Sequence, residues 1–269
     1  LAIMTDLFQQ RYYKINKTLL ILTGSWPYTS QPLRTSVLIL TVCIAVSGII
    51  PQIIGVLEVL NDWEVAVESI PPFVIDLGFA IKLLTIAINA KKVQKILEHI
   101  RSDWLSFAGQ TELRILHEYA ERGRTFTIAY ATGIYLTTLL FMTQPVATKL
   151  LQVMHLLNDS EPAKYPLLAN YYGIDTDANY FYLLPFTYFT TAIILTTIVA
   201  ADTLFIVQVQ HGCAMFSILG HNLKKMADQG TDYRALCFQP LKDPVSTHLS
   251  VSIRDHHEVI EFSDLLESI

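Results

Sequence analysis

The chain has 269 residues, of which 52% are hydrophobic and only 16% are charged, and its formal net charge is −5. Because a water-soluble domain of this size carries about a quarter charged residues, the composition excludes an ordinary soluble protein. Basic residues alternate with acidic ones instead of forming a patch, so nucleic acid is not predicted as a partner.

Four long apolar segments are predicted to cross a membrane. They span residues 35–57, 70–90, 125–150 and 183–209. Each is long enough, at about 1.5 Å per residue, to cross a hydrocarbon core of about 30 Å as a helix. None has the alternating pattern of a barrel strand. We therefore predict an all-α integral membrane protein, a multi-span helical bundle, in which prolines inside three of the segments kink the helices without breaking them.

The distribution of Lys and Arg predicts that the N-terminus is cytoplasmic, because these residues are retained on that side. Four of them precede the first segment, none lies in 60–69, and seven lie in 91–124. The predicted organisation is a cytoplasmic amphipathic segment at 1–34, a transmembrane region at 35–210, and a cytoplasmic loop and helix at 211–269. A G-protein-coupled receptor would have its N-terminus outside, and no cysteine falls in a predicted outer loop.

Two features concern processing of the chain. It begins with Leu1, and its first apolar segment is too long for a signal peptide, so we expect a fragment or a partial gene model. Asn158 begins an Asn-Asp-Ser sequon in a predicted outer loop and is a candidate glycosylation site. The alternative is that Asn158 lies too near the membrane to be modified.

Several short motifs follow one another along nearly the whole chain. They are Tyr12-Tyr13-Lys14-Ile15-Asn16, Trp26-Pro27-Tyr28, Pro71-Pro72, Asp103-Trp104, the stretch from His117 to Arg124, the stretch from Tyr171 to Asp175, Gln210-His211-Gly212-Cys213, and the closing stretch from Arg254 to Ile269. Each motif is weak alone. Together and in this order, they resemble the insect odorant receptor family.

The resemblance implies a seven-span receptor, of which four spans and the cytoplasmic helix before the fifth are expected in this sequence. Members of the family have a cytoplasmic N-terminus, lie in the plasma membrane of the olfactory sensory neuron dendrite, and act as tuning subunits of ligand-gated cation channels. The implied partners are a small volatile odorant, membrane lipid and a common co-receptor subunit in a hetero-oligomer, expected to be a tetramer. No G protein is required, and no cofactor is implied.

The resemblance also implies an odorant cavity in the outer half of the bundle, which should be apolar and aromatic with few polar groups. Helical spacing selects one face on each of three spans. The candidate ligand-binding residues are Phe73, Leu77 and Ala80 on the second span, Tyr135, Thr138 and Met142 on the third, and Phe186, Phe189 and Ile193 on the fourth. The alternative for each stripe is ordinary packing between helices.

Two opposite charges, Asp76 and Lys82, lie inside the second span. They are about 240° apart on a helical wheel, so they cannot pair with each other. Lys82 and Asp202 of the fourth span lie at comparable depth and are predicted to form an intramembrane polar pair. The alternative is that Lys82 extends its ammonium group to the cytoplasmic face. Asp76 lies in the outer third of its span and joins the candidate ligand-binding residues.

No catalytic residue is predicted, because the sequence has no phosphate loop, nucleophile elbow or pair of catalytic carboxylates. Asp255-His256-His257-Glu258 is not predicted to bind a metal, since adjacent histidines on a helix point in different directions. A gustatory receptor of the same superfamily is the first alternative, although the Trp-Pro-Tyr and Gln-His-Gly-Cys motifs favour the odorant branch. The second is a secondary transporter that couples ions through Asp76, Lys82 and Asp202, although no internal repeat is visible.

Overall fold

The structure is a computed structural model that describes residues 7–154, 166–176, 178–228 and 244–269. Asn158, the candidate glycosylation site, lies outside the described residues. A 3-10 turn at Leu7–Gln9 is followed by helices α1 Lys14–Leu22, α2 Gln31–Glu58, α3 Trp63–Glu68, α4 Ile70–Ile88, α5 Ala90–Ser106, α6 Leu113–Val153, α7 Tyr180–Asp228 and α8 Pro244–Glu267. Within the described ranges no strand is formed, which confirms the predicted all-α fold class.

Four candidate membrane spans are present in the described residues. They are Gln31–Glu58, Trp63–Ile88, Leu113–Ala147 and Tyr180–Lys225. Each overlaps one of the four predicted apolar segments, and together they confirm the prediction of a multi-span helical membrane protein. In lipid the helix is favoured because each backbone N–H and C=O finds its partner inside the same segment.

Helices α6 and α7 extend well beyond the apolar segments predicted for them. They have 41 and 49 residues. At about 1.5 Å per residue these lengths are about 60 and 74 Å, at least twice the hydrocarbon thickness of about 30 Å. Part of each helix must therefore lie outside the hydrocarbon core. In α6 that part includes a polar stretch in which Glu118 and Arg122 form an i,i+4 ion pair of 3.1 Å.

The chain passes from α1 into α2 through a turn that depends on Gly24. Its φ of +68° lies in the left-handed region that favours glycine. The N–H of Ser25 donates to the carbonyl of Leu20 (2.7 Å) and the N–H of Gly24 donates to that of Ile21 (3.1 Å), which are the two bonds of a Schellman cap. A Cβ atom at Gly24 would also lie 2.5 Å from the backbone nitrogen of Leu38. The turn therefore requires glycine for its conformation and for its close packing.

The chain divides into two compact units, each formed by separate stretches of sequence. Unit 1 comprises Leu1–Ile15, Asn89–Thr127 and Leu204–Ile269, and unit 2 comprises Asn16–Ile88 and Ile128–Thr203. In unit 2, one core cluster joins three helices: Ala45 of α2 packs with Phe79 and Leu83 of α4 and with Ile194 of α7.

The buried face of α2 in unit 2 is built from small or polar side chains, among them Thr41, Ala45, Gly48, Gln52 and Gly55. Their spacing of three and four residues places them on one side of the helix. A Cβ atom at Gly48 would lie 2.8 Å from Oγ1 of Thr190 on α7, so the two helices approach closely there. Small residues at a helix contact are typical of packing inside membranes, where the gain comes from close backbone approach.

Buried threonines of α7 satisfy their hydroxyl groups within the helix. Thr187 donates to the carbonyl of Leu183 (2.9 Å), Thr190 to Thr187 (3.0 Å), Thr197 to Ile193 (3.0 Å) and Thr203 to Val199 (2.7 Å). An unpaired hydroxyl would be costly in an apolar surrounding, and bonding to the preceding turn removes that cost. These threonines can therefore be buried without partners on other helices.

Unit 1 is packed in the manner of a soluble protein. The buried side of α5 carries Val93, Ile96, Leu97, Ile100 and Trp104, and the exposed side carries Lys91, Lys95, Glu98 and Arg101. Such a one-sided apolar stripe is the pattern of a helix between a core and water. Helix α8 packs along α5, with Lys95 and Glu261 paired at 3.3 Å.

Candidate functional site

A buried polar contact joins Tyr171 and Thr187 at one end of unit 2. We call this end, which comprises the last turns of α2, the first turns of α7 and residues 166–176, the loop end. Tyr171 Oη lies 2.7 Å from Thr187 Oγ1. Because the Thr187 hydroxyl already donates to a carbonyl, the phenol is the donor in this pair. Burial raises the pKa of Tyr171, which keeps the phenol protonated, and its ring packs edge-on against Phe186 with centroids 6.1 Å apart.

Asn170 fixes residues 166–176 to α2 through its backbone and its side chain. Its N–H donates to the carbonyl of Pro51 (2.8 Å), and its side-chain amide donates to Glu58 (2.6 Å). The contact is close because Gly55 has no side chain: a Cβ there would lie 3.0 Å from Cα of Ala169. The segment that carries Tyr171 is thus held against the helix end.

Two further tyrosines connect α7 to α6 within unit 2. The Tyr180 phenol donates to the carbonyl of Pro145 (3.3 Å), and the Tyr188 phenol donates to the carbonyl of Met142. A third contact, of 3.1 Å, joins the Tyr135 hydroxyl of α6 to Thr196 of α7. Phenols suit this position because a Tyr ring is largely apolar while its hydroxyl can satisfy a backbone carbonyl.

The predicted stripe on α4 lies on the exposed side of that helix. Phe73, Leu77 and Ala80 are all exposed, whereas Asp76 and Phe79 are buried. The stripe therefore does not face the packed interior of unit 2 in the described part of the chain. Its contact with a ligand stays a prediction.

The predicted stripes on α6 and α7 are placed more favourably. Met142 is buried, Thr138, Phe186 and Ile193 are half-buried, and Tyr135 and Phe189 are exposed. The carbonyl of Met142 and the hydroxyl of Tyr135 contact Tyr188 and Thr196 of α7, so the α6 stripe is joined to residues that lie beside the predicted α7 stripe. Ligand binding by their members also stays a prediction.

Asp76 occupies the buried side of α4. It is 6% exposed, and its Oδ2 has no hydrogen-bond partner among the described residues. Phe79, one turn further along α4, packs with Ala45 and Ile194, so Asp76 is on the side of the helix that faces α2 and α7. A carboxyl group buried without a partner is costly, and it remains able to accept a hydrogen bond.

Asp202 differs from Asp76 in that both of its oxygens are used. Lys82 Nζ donates to Oδ1 (2.5 Å), and the Tyr130 phenol donates to Oδ2 (2.6 Å). The structure thus brings the predicted partners Lys82 and Asp202 together and adds Tyr130 from α6. Tyr130 is not among the predicted residues, because a tyrosine in an aromatic-rich span carries no sequence signal that separates it from its neighbours.

Motifs that carried the family resemblance meet in unit 1. Trp104 Nε1 donates to the Tyr13 hydroxyl (2.9 Å), and the Tyr12 hydroxyl lies 3.1 Å from Nδ1 of His117. Burial raises the pKa of Tyr13, so its phenol stays protonated while it accepts this bond. The Trp104 and His117 rings also contact each other, with centroids 4.9 Å apart. Three motifs distant in sequence therefore form one aromatic cluster.

A second contact between motifs joins α5 and α7 in unit 1. His211 Nε2 lies 2.9 Å from Oδ2 of Asp103, and the buried His211 ring also packs against Phe262 of α8 at a centroid distance of 5.4 Å. A Cβ at Gly212 would lie 3.4 Å from the Phe262 ring, so Gly212 also belongs to this contact with α8. The His211 and Gly212 positions of the motif thus have structural roles.

The described residues offer no metal centre. No group of three or more His, Cys, Asp or Glu side chains is placed there to hold an ion. His256 and His257 lie exposed on α8. What unit 2 does offer is a set of aromatic rings, hydroxyl groups and one buried carboxyl without a partner among the described residues.

Comparison with known proteins identifies the family. The model of the family described as 7tm Odorant receptor matches residues 62–269, most of the chain. A comparison with curated proteins gives no match. The matched range includes α3 to α8, and with them the second to fourth spans, Tyr171, Asp76 and the Lys82–Asp202 pair. The chain is therefore a chemosensory membrane receptor that belongs to the 7tm odorant receptor family.

Proposed function

We propose that the chain is the tuning subunit of an odorant-gated cation channel. It binds a small volatile molecule near the loop end of unit 2 and opens a cation pathway together with a common co-receptor subunit. The observation that carries this proposal is the match to the odorant receptor family over residues 62–269. The channel mechanism and the co-receptor come from the resemblance to insect odorant receptors.

The composition of the loop end supports this location for the ligand. A site for a small, mostly apolar molecule needs aromatic surface and a few directed polar groups. Tyr171, Phe186, Tyr180 and Tyr188 supply rings and hydroxyls there. Asp76 of α4, the helix that packs with α2 and α7, adds a carboxyl that the described residues leave without a partner. Such a site would select ligands by shape and by one or two hydrogen bonds.

Gating by the ligand requires a difference in affinity between two states. An odorant that binds the open arrangement better than the closed one shifts the equilibrium by that difference, and an odorant that binds both equally shifts nothing. Moving the channel from about 1% to about 99% open would need a preference of about 10⁴-fold.

The proposed location is the plasma membrane of an olfactory sensory neuron dendrite, with the N-terminus in the cytoplasm. The alternation of Lys- and Arg-rich segments with segments that lack them supports this orientation. On this proposal residues 1–34 and 211–269 are cytoplasmic, residues 35–210 form the transmembrane region, and the loop end faces outwards.

Electrophysiology tests the proposal directly. The full-length receptor would be expressed with and without the co-receptor subunit, and cation currents would be recorded while a panel of volatiles is applied and G-protein signalling is blocked. We expect a ligand-evoked current that requires the co-receptor. Substrate flux from the receptor alone would instead indicate a transporter, and a response only to non-volatile tastants would indicate a gustatory receptor.

A matched pair of variants locates the ligand. Phe186→Leu removes a ring that packs on Tyr171, whereas Phe205→Leu makes the same change in unit 1 at a side chain that is 57% exposed. Loss of one aromatic contact with the odorant, worth about 1.4 kcal/mol, should raise the half-maximal odorant concentration about tenfold in the first variant. The second should respond like the parent. If both variants respond equally to the odorant, the ligand does not bind at the loop end.

A further inference from the structure

Asp202 and Asp76, two acids inside the spans of unit 2, differ in their partners. Asp202 is half-buried and has Lys82 at 2.5 Å and Tyr130 at 2.6 Å, so its charge is compensated by the protein. Asp76 is more deeply buried, at 6% exposed, yet its Oδ2 has no donor and it forms no ion pair among the described residues. In the described part of the chain, the partners of Asp202 are thus supplied by the protein and a partner for Asp76 is not.

Asp76 lies on the loop-end side of the core cluster of unit 2. In that cluster Phe79 and Leu83 of α4 pack with Ala45 of α2. Toward the loop end, Asp76 is about one turn from Phe79 on α4, and Gln52 is about two turns from Ala45 on α2. Gln52 is also buried.

We propose that Asp76 is the anchor for a cationic ligand, and that the receptor recognises small volatile amines. The inference rests on the proposed function, since it names the ligand class of that same site. An ammonium group supplies both the positive charge and the N–H donors that the buried carboxyl lacks, and such charge-assisted bonds are stronger than neutral ones. The apolar remainder of the amine would pack against the core residues beside Asp76.

Charge balance makes this pairing possible in an apolar surrounding. If the carboxyl is ionised in the empty receptor, it binds the ammonium form, and the complex is neutral. If it is protonated, a neutral amine that arrives from the lipid takes the carboxyl proton and becomes the ammonium ion, because an amine is a much stronger base than a carboxylate. Both routes end in the same neutral ion pair.

An alcohol or a ketone lacks this advantage. Either can form a single neutral hydrogen bond with Asp76, but neither can compensate a carboxylate charge. Ligands that share one carbon skeleton and differ only in this group therefore separate the proposed ligand class from general binding to apolar surface.

The experiment uses the full-length receptor with its co-receptor, and hexylamine, hexanol and hexanone as ligands. We expect the largest response to the amine. In Asp76→Asn the half-maximal amine concentration should rise by about 30-fold or more, as when one member of a buried charge pair is removed. The responses to alcohol and ketone should change less than about threefold. Glu64→Gln removes the same charge from an exposed position and should leave all three responses unchanged.

A second variant guards against a failure of Asp76→Asn to reach the membrane. Asp76→Glu keeps the carboxyl but moves it by one methylene, so the preference among linear amines should shift to a chain one carbon shorter. Responses to alcohol or ketone without a response to amine would overturn the inference, as would an equal effect of Asp76→Asn on all three ligands. Absence of current with any volatile would instead overturn the proposed function.

Discussion

Helices α4 and α5 follow each other directly in the chain and yet obey opposite rules. The buried side of α4 contains Asp76, while leucines such as Leu77 and Leu84 are exposed. In α5 Ile96, Leu97 and Ile100 are buried, whereas charged side chains such as Lys95 and Arg101 are exposed. The change occurs at Asn89, which lies between the two helices.

The difference shows that the medium around each helix, lipid or water, decides which of its side chains are exposed. Against lipid, an exposed leucine costs nothing and a charge must be turned inward. Against water, leucines are favoured inside and charged side chains are favoured at the surface. The free-energy cost of exposing a leucine or a charged side chain therefore differs in sign between unit 2 and unit 1. Substitutions on the two helices can measure this difference.

The largest effect is expected at the ion pair of unit 2. Lys82→Leu leaves Asp202 with Tyr130 as its remaining partner. The Lys82 and Asp202 side chains are 46% and 22% exposed, but both lie in candidate membrane spans, where lipid does not screen a charge, so the change should cost up to about 3–5 kcal/mol. We expect a strong loss of receptor at the cell surface, measured by surface biotinylation.

The double variant Lys82→Leu with Asp202→Leu is the control for that prediction. With both charges removed, no uncompensated charge remains, and surface levels should largely recover. If the double variant reached the cell surface no better than Lys82→Leu, the two charges would not be energetically coupled.

A smaller effect is expected from truncating isoleucine on the two sides of Asn89. Ile96 of α5 is 0% exposed, so Ile96→Ala should cost about 2–5 kcal/mol and lower the thermal unfolding midpoint in detergent. Ile88 of α4 is 72% exposed, and Ile88→Ala should cost less than about 0.5 kcal/mol. If both variants lowered the unfolding midpoint equally, the assignment of lipid to α4 and water to α5 would be contradicted.

Close packing in unit 2 is tested by adding one methyl group. Gly48→Ala places its Cβ 2.8 Å from Thr190 Oγ1 and should cost about 1–3 kcal/mol. Gly78→Ala meets nothing within 4 Å and should be neutral or slightly stabilising, since alanine favours helix. Thermal unfolding of both variants provides the measurement, and a neutral Gly48→Ala would refute the close approach of α2 and α7.

The smallest effect is expected at the loop end. Tyr171→Phe removes the hydroxyl that donates to Thr187 and should lower stability by about 1 kcal/mol. Tyr172→Phe makes the same change at a residue that is 68% exposed, and no shift is expected. If the two variants unfold at the same temperature, the Tyr171 hydroxyl contributes nothing.

The spans could be predicted from the sequence because hydrophobic length is a one-dimensional property. The depth of a residue within its span is nearly as simple, and counting from the helix ends was enough to propose Lys82 with Asp202. The direction in which a residue points was harder. Aromatic content selects the Phe73 stripe of α4, which is exposed in the structure. Asp76 indicates the buried side of α4 more directly, since an acid inside a span turns toward protein.

The contacts of unit 1 were beyond the reach of sequence reasoning. Tyr13, Trp104 and His117 lie in different helices or segments, and no periodicity connects them. The same holds for Asp103 and His211. Such contacts are decided by how helices pack in three dimensions, so the motifs could be recognised as a family pattern but not explained.

The turn at Gly24 has a consequence for the synthesis of the protein. Its hydrogen bonds, the close approach of Leu38 and the Lys17–Trp26 contact all lie between residues 17 and 38. Contacts over so short a distance can form soon after this stretch leaves the ribosome, because little chain must be ordered to close them. The path into α2 can thus be set before the later spans are translated, and a ribosome-bound chain that ends shortly after this stretch should already contain the turn.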